Sequence, residues 1–317
     1  MNNAFIEIPG VSRLNPSAQA LVSAILQQPA LYHAKKTIIL PPLAHHITSS
    51  YFSGFQEAID FLKTHAVPCS YFDLCQIELV SDGCITLLNL NAKNSYNMKQ
   101  VVNAITKELL ELTDGLLRET SQTSKFYRLY QRIATRYRYQ DHPLGHSIYG
   151  LVSQKAGVCQ AVSGMLCLCC SVLGIESSIV ESRDHCWNLI TLDGYTAHFD
   201  CTWDLGQTAR TGFKFFGLSS EEIACVPDHL LATDNLPALE DSPLNWYRRK
   251  NLICTPASCV SQIRSQMDEY GIATCRIPGV LQSDIEQLIT TALHGTAVRK
   301  YSYSVDALNT VTIRSVI

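Results

Sequence analysis

Residues 145–204 read GHSIYGLVSQKAGVCQAVSGMLCLCCSVLGIESSIVESRDHCWNLITLDGYTAHFDCTWD. Val158, Val162, Met165, Leu166, Cys169, Val172 and Leu173 recur at helical spacing, and Gly174 supplies a stop. Lys155-Ala156-Gly157 ahead of them reads as irregular chain, so Cys159 falls in the first turn of a buried helix. There the helix dipole and unpaired backbone N–H groups favour a thiolate and could hold a developing oxyanion. The plainer fate of one cysteine among 13 is a buried structural thiol. Position alone does not decide between the two.

Downstream, HCWNLITL (185–192) and YTAHFDCTW (195–203) are strand-like and separated by Asp193-Gly194, a strong hairpin signal. If those two residues form the loop, Leu192 pairs with Tyr195. Counting outward, Trp187 opposes Asp200, Cys186 opposes Cys201 and His185 opposes Thr202. His185 and Asp200 then share a face as diagonal neighbours about 7–8 Å apart at the backbone, within reach for a carboxylate to hold an imidazole. His198 shares that face too, so parity alone does not choose between the two histidines.

The strings GVC at a helix start, HCWN, and LDGYTAHFDCTWD resemble the core of transglutaminase-like proteins, which typically read G-x-C, H-A-W-N and a D-G hairpin ending in D-x-T-W-D. HSIYGLV before Cys159 and FKFFGLSSEEI at 213–223 extend the resemblance, and LPALEDSPLNWYRR at 236–249 resembles bacterial members. The match covers about 124–250. It implies a nucleophile at Cys159, a general base and acid at His185 rather than His198, and an orienting group at Asp200. Two departures, Cys186 for the usual Ala and Gln160-Ala161 where an aromatic often follows, touch specificity rather than the catalytic groups.

The implied chemistry is thiolate attack on an amide through a thioester, with peptidase or deamidase action if water resolves it and protein cross-linking if an amine does. No acidic loop resembles a calcium-binding EF-hand, so hydrolysis is favoured over a calcium-activated transglutaminase. A non-catalytic interaction module is the third reading, although such modules usually lose the nucleophile or base. For the oxyanion the Cys159 N–H is the first candidate, with Gln154 and Tyr149 as side-chain candidates. Trp187 is expected to pack and is a candidate wall of the substrate channel.

Around this segment, the 317 residues suggest two or three packed units. The expected architecture is α+β: a papain-like or transglutaminase-like core at 96–250, with its nucleophile helix on an antiparallel sheet, between an N-terminal α+β region at 1–95 and a small C-terminal α+β region at 251–317. Lys36–Leu40 reads as a strand, 52–62 as a short helix, and Ser81-Asp82-Gly83 as a hairpin turn. Helices are expected at 98–116 and from about Ser124, ending before His142-Pro143-Leu144-Gly145. The tail should run helix, strand, helix, strand, strand.

Hydrophobic residues at 46% and charged residues at 17% describe a folded chain with a large core, and the net charge of −3 gives no electrostatic reason for nucleic acid or an anionic membrane as partner. The expected partner is a protein or peptide substrate. Met1 to Glu7 lack the start of a secretory signal, and the apolar run near Met165–Ile175 is about half a membrane span. The cysteines are therefore expected to be reduced thiols in a cytoplasmic protein. No cofactor or metal is implied. Cys167, Cys169 and Cys170 diverge around a helix where zinc needs four convergent ligands, and His45-His46 has no spaced partner.

Overall fold

The computed structural model describes residues 8–28, 35–42, 51–82, 85–93, 96–230 and 238–316. The N-terminal stretch before residue 8, His45-His46, Cys84, the Gly83 end of the first hairpin turn and the start of the 236–249 pattern lie outside the described residues. The chain divides into two compact units, Met1–Ile133 with Tyr137–Ile179, and Ala134–Arg136 with Val180–Ile317. The 96–250 segment contributes to both.

In chain order the first unit holds α1 Pro16–Leu26, β1 Lys35–Leu40, α2 Phe55–His65, β2 Cys75–Ser81, β3 Thr86–Ala92, α3 Met98–Thr113, α4 Gln122–Arg136 up to Ile133, β4 Arg138–Tyr139, α5 Ile148–Gln154, β5 Ala156–Gly157 and α6 Cys159–Val172. The Asn15, Asn97, Ser121 and Ser147 side chains accept first-turn N–H groups of α1, α3, α4 and α5, which fixes where these helices start. The α3 helix stops at Thr113, ahead of Gly115 at φ +71°, and Leu116 continues its buried face from a separate short turn. Strands β1, β3 and β2 lie side by side, each pair antiparallel. Ile38, Leu40, Leu88 and Leu90 face the core while Ile39 points out, the alternation of a half-buried sheet.

Nearly all of α6 is buried: every residue from Ala161 to Cys170 is out of solvent. It packs with α2, α3 and α5 of the same unit. That is the expected place for a helix apolar around its whole circumference. The packing with α2 also explains why the N-terminal 95 residues do not stand apart as a separate body. The chain enters α6 through a tight passage. A Cβ on Gly150 would lie 1.9 Å from the Leu144 carbonyl oxygen, and one on Gly157 would lie 2.9 Å from that of Gly145. Buried Glu108 accepts from Tyr137 Oη at 2.6 Å and pairs with Lys155 Nζ at 2.6 Å, so α3 braces the segment just ahead of Cys159.

The second unit begins inside β6 Glu176–Glu181 and continues with β7 Cys186–Leu192, β8 Tyr195–Phe199, β9 Phe216–Leu218, α7 Ser220–Ala224, α8 Trp246–Arg249, α9 Pro256–Tyr270, β10 Ile272–Arg276, α10 Gln282–Leu293, β11 Tyr301–Val305 and β12 Thr310–Ser315. The β7–β8 hairpin has the register expected from Asp193-Gly194, with Leu192 opposite Tyr195 and Asn188 opposite Phe199. Asp193 and Gly194 both have positive φ, as a two-residue type I′ loop requires. The tail forms a second antiparallel sheet, β10-β12-β11, and α9 and α10 share with it a core of Ile263, Met267, Ile285, Ile289, Val311 and Ile313. The molecule is thus α+β, with helices interspersed among antiparallel sheets along the chain; β4 with β5 is a two-residue parallel pair.

No helix among the described residues is long and apolar enough to cross a membrane.

Candidate active site

Asp200 follows the last residue of β8 and does not continue the ladder. Its Oδ1 accepts the backbone N–H groups of Thr202 at 2.8 Å and Trp203 at 3.2 Å, which turns the chain. The ladder therefore ends at Asn188 opposite Phe199, short of the expected Trp187–Asp200 and Cys186–Cys201 pairs. Asp204 closes the same bend: its two oxygens take the N–H groups of Lys214 at 2.8 Å and Phe215 at 3.0 Å. Both aspartates of the D-x-T-W-D string thus bracket turns.

The other carboxylate oxygen of Asp200 points at imidazoles. His185 Nε2 donates to Oδ2 at 2.6 Å, and His229 Nε2 donates to the same atom at 2.7 Å. Burial alone would raise the Asp200 carboxyl; the hydrogen bonds from His185 and His229 outweigh it and hold the group below its ordinary range. His185 sits at the mouth of the hairpin with its side chain 10% exposed, between the rings of Trp187 and Trp203 at 5.9 and 6.2 Å. Trp187 is fully buried and so packs rather than walling a channel, whereas Trp203 is 42% exposed.

His198 is engaged elsewhere. Its Nδ1 accepts the Trp187 indole N–H at 3.0 Å, and its Nε2 lies 3.3 Å from Ser220 Oγ. An indole N–H can only donate, so the His198 proton sits on Nε2. Burial pushes this ring down to about 4 from 6.5. A histidine depressed on folding favours the native state above its unfolded value, and that advantage is lost as the pH falls from about 6.5 through about 4, on the order of 3 kcal/mol. Urea unfolding at pH 7 and pH 4.5 should show a smaller pH difference in His198→Gln, whose amide can both accept from Trp187 and donate to Ser220. An equal difference in the two proteins would refute this account. The comparison with the variant cancels His65, which burial depresses in the same sense, and Asp73, which burial raises to about 6.

Three ligand atoms from His185, Asp200 and His229 lie within 4.8 Å of one another, so a metal must be considered. A metal-bound histidine normally donates its second N–H to a partner. His229 Nδ1 is buried without one among the described residues, and a metal at Nε2 would move the proton there. The set is built for hydrogen bonding. Cys167, Cys169 and Cys170 are all fully buried in α6, and burial raises the thiols of Cys169 and Cys170.

In the first unit, Cys159 is the first residue of α6. Val158, at the N-cap, has no side-chain oxygen to satisfy the first-turn N–H groups, and no acidic residue lies in that turn. Of the twelve described cysteines ten are buried; Cys159 is half-buried and Cys225 exposed. Gln154 ends α5 and is exposed, while Tyr149 is half-buried in α5 with its ring edge-on to Tyr96 at 5.9 Å. Tyr96 lines a cleft of about 300 Å³ with Asp73, Lys93, His146, Ser147 and Gln160. His146 Nδ1 and Gln160 Oε1 meet at 2.8 Å on its wall, one residue past Cys159.

His229 was not legible as a site residue in the sequence. It closes a single turn, Pro227–His229, 29 residues beyond Asp200, with no periodicity or spaced partner to mark it.

Residues 111–199 match the transglutaminase-like superfamily. That stretch holds Cys159 and His185 and stops one residue short of Asp200. No curated protein matches. Solved structures similar to the chain include a TGase (14% identity, 40% of this chain and 44% of that one, TM-score 0.30). Others are a proposed cysteine protease from Cytophaga hutchinsonii (13%, 41% and 63%, 0.27) and a proposed protease from Parabacteroides distasonis (10%, 75% and 60%, 0.27). The chain spans less than two thirds of the length of each.

Proposed function

We propose that this chain is a cysteine-nucleophile enzyme acting on amide bonds of a protein or peptide substrate, with Cys159 as nucleophile, His185 as proton carrier and Asp200 as the group that orients it. The observation that carries the reading is the 2.6 Å bond between His185 Nε2 and Asp200 Oδ2. It fixes the ring so that proton transfers fall to Nδ1. Further support comes from Cys159, half-buried at a helix start that its N-cap leaves unsatisfied.

In the proposed reaction the Cys159 thiol gives its proton to His185 Nδ1 and the sulfur adds to the amide carbonyl. The C–N bond breaks, the imidazolium protonates the leaving amine, and a thioester remains. Water then adds, releasing the carboxylic acid and restoring the thiol. First-turn N–H groups of α6 are the proposed oxyanion donors, with Tyr149 and Gln154 as substrate contacts. The reading takes the protein to work in a reducing, cytoplasmic setting.

The test is mass spectrometry of a casein-like protein incubated with the enzyme and a primary amine. New chain ends or glutamine-to-glutamate conversion are expected; incorporated amine would make the reaction a transamidation through the same thioester. Absence of any Cys159-dependent product would overturn the proposal in favour of a binding module.

A further inference from the structure

The proposed mechanism uses one histidine on Asp200, and the structure carries two. His229 is wholly buried and reaches the same carboxylate oxygen as His185, at 2.7 Å against 2.6 Å. Aromatic rings enclose it: Phe215 stacks at 5.3 Å, while Trp187 and Trp203 tilt against it at 4.8 and 5.0 Å. Inside that box its Nδ1 has no hydrogen-bond partner among the described residues. A phenyl ring would fill the same space without stranding a polar nitrogen. Packing therefore does not account for an imidazole here; its hydrogen bond to Asp200 does.

We infer that His229 is a positioning residue that locks the Asp200 carboxylate toward His185 and draws part of its charge away from that ring. The inference rests on the catalytic reading of Cys159, His185 and Asp200. Thr202 and Trp203 pin Oδ1 from one side, and His229 pins Oδ2 from another, which leaves the carboxylate a single orientation. An acceptor that serves two donors stabilises an imidazolium at His185 less than an unshared one. His185 then releases its proton to the leaving amine more readily.

His229→Phe keeps the box filled and removes the donor; His229→Gln keeps an N–H donor. The Phe variant should lose about 10- to 100-fold in kcat with KM within about twofold, and the Gln variant should recover most of the loss. Independently of activity, NMR titration of the His185 ring should move to higher pH in the Phe variant. Other ionisable groups on the surrounding elements, His198, Asp204, Asp228, Lys214, Arg183 and Asp184, are the same in all three proteins.

A folded Phe variant with unchanged kcat and unchanged His185 titration would overturn the inference. Should that variant not fold, imidazole nitrogen spectra of the unmodified chain carry the test: the His229 proton belongs on Nε2, and finding it on Nδ1 would overturn the inference. An unmodified chain with no activity would sink the proposed function, while the His185 titration would still judge His229.

Discussion

Cys159→Ala is expected to remove amide-bond chemistry, by roughly 10⁴-fold or more, while leaving the melting temperature within a few degrees of the unmodified protein. The two halves of this expectation have different origins. Loss of the sulfur removes the atom that forms the thioester, and neither the histidine pair nor the helix start can replace it. Stability barely changes because Cys159 is half-buried at the end of α6, whose packing comes from the ten consecutive buried residues after it. Exchanging the thiol for hydrogen at such a position costs less than about 1 kcal/mol. Activity assays and thermal melts on the same preparation check both. Residual activity near that of the unmodified protein would place the nucleophile elsewhere, and collapse of the melt would make Cys159 structural.

A large stability effect is expected at Arg276, a residue with no part in the chemistry. Its side chain is 3% exposed and lies between the tail sheet and α7. Nη1 meets Glu222 Oε1 at 2.7 Å, Nη2 donates to the Lys214 carbonyl at 2.9 Å, Nε donates to Thr310 Oγ1 at 3.2 Å, and the guanidinium lies 4.7 Å over the Tyr247 ring. Glu222 is equally occupied: it accepts from the Ser219 backbone N–H in a capping box and from Asn245 Nδ2. Arg276→Met keeps the apolar stem but leaves these acceptors short of a donor. Removing one partner of a buried pair typically costs about 3–5 kcal/mol. Arg248→Met is the control, since the Arg248–Asp241 pair is about half-exposed at both ends, and its loss should stay within about 1 kcal/mol. Urea unfolding of both variants decides. Equal, small losses would show that the tail sheet is held by its apolar core alone.

What the sequence made legible was whatever depends on local rules. Periodicity placed α3 and α4 to within a few residues, and Asp193-Gly194 determined the hairpin register residue by residue. The elements of the tail follow the expected order, helix, strand, helix, strand, strand. The misses occur where a side chain's own hydrogen bond, near or far along the chain, decides. The ladder stops at Phe199 because the Asp200 carboxylate captures two backbone N–H groups ahead of it, a choice that alternation cannot express. His229 reaches Asp200 from a lone turn in a stretch without pattern, so only three-dimensional proximity reveals it. The division into units escaped for the same reason: α2 packs on α6, and Arg276 ties the tail to α7, through contacts across more than fifty residues.

The cysteine content acquires a different meaning once its distribution is known. By count the chain should be a broad target for electrophiles and oxidants. Burial keeps ten of the twelve described thiols out of reach and raises several of them well above the range in which a thiolate forms. A small alkylating reagent therefore meets, among the described residues, a surface thiol at Cys225 and a recessed one at Cys159. Most of the sulfur in the core acts as apolar filling; Cys254, whose thiol the hydrogen bond with Cys275 lowers to about 7, is the exception.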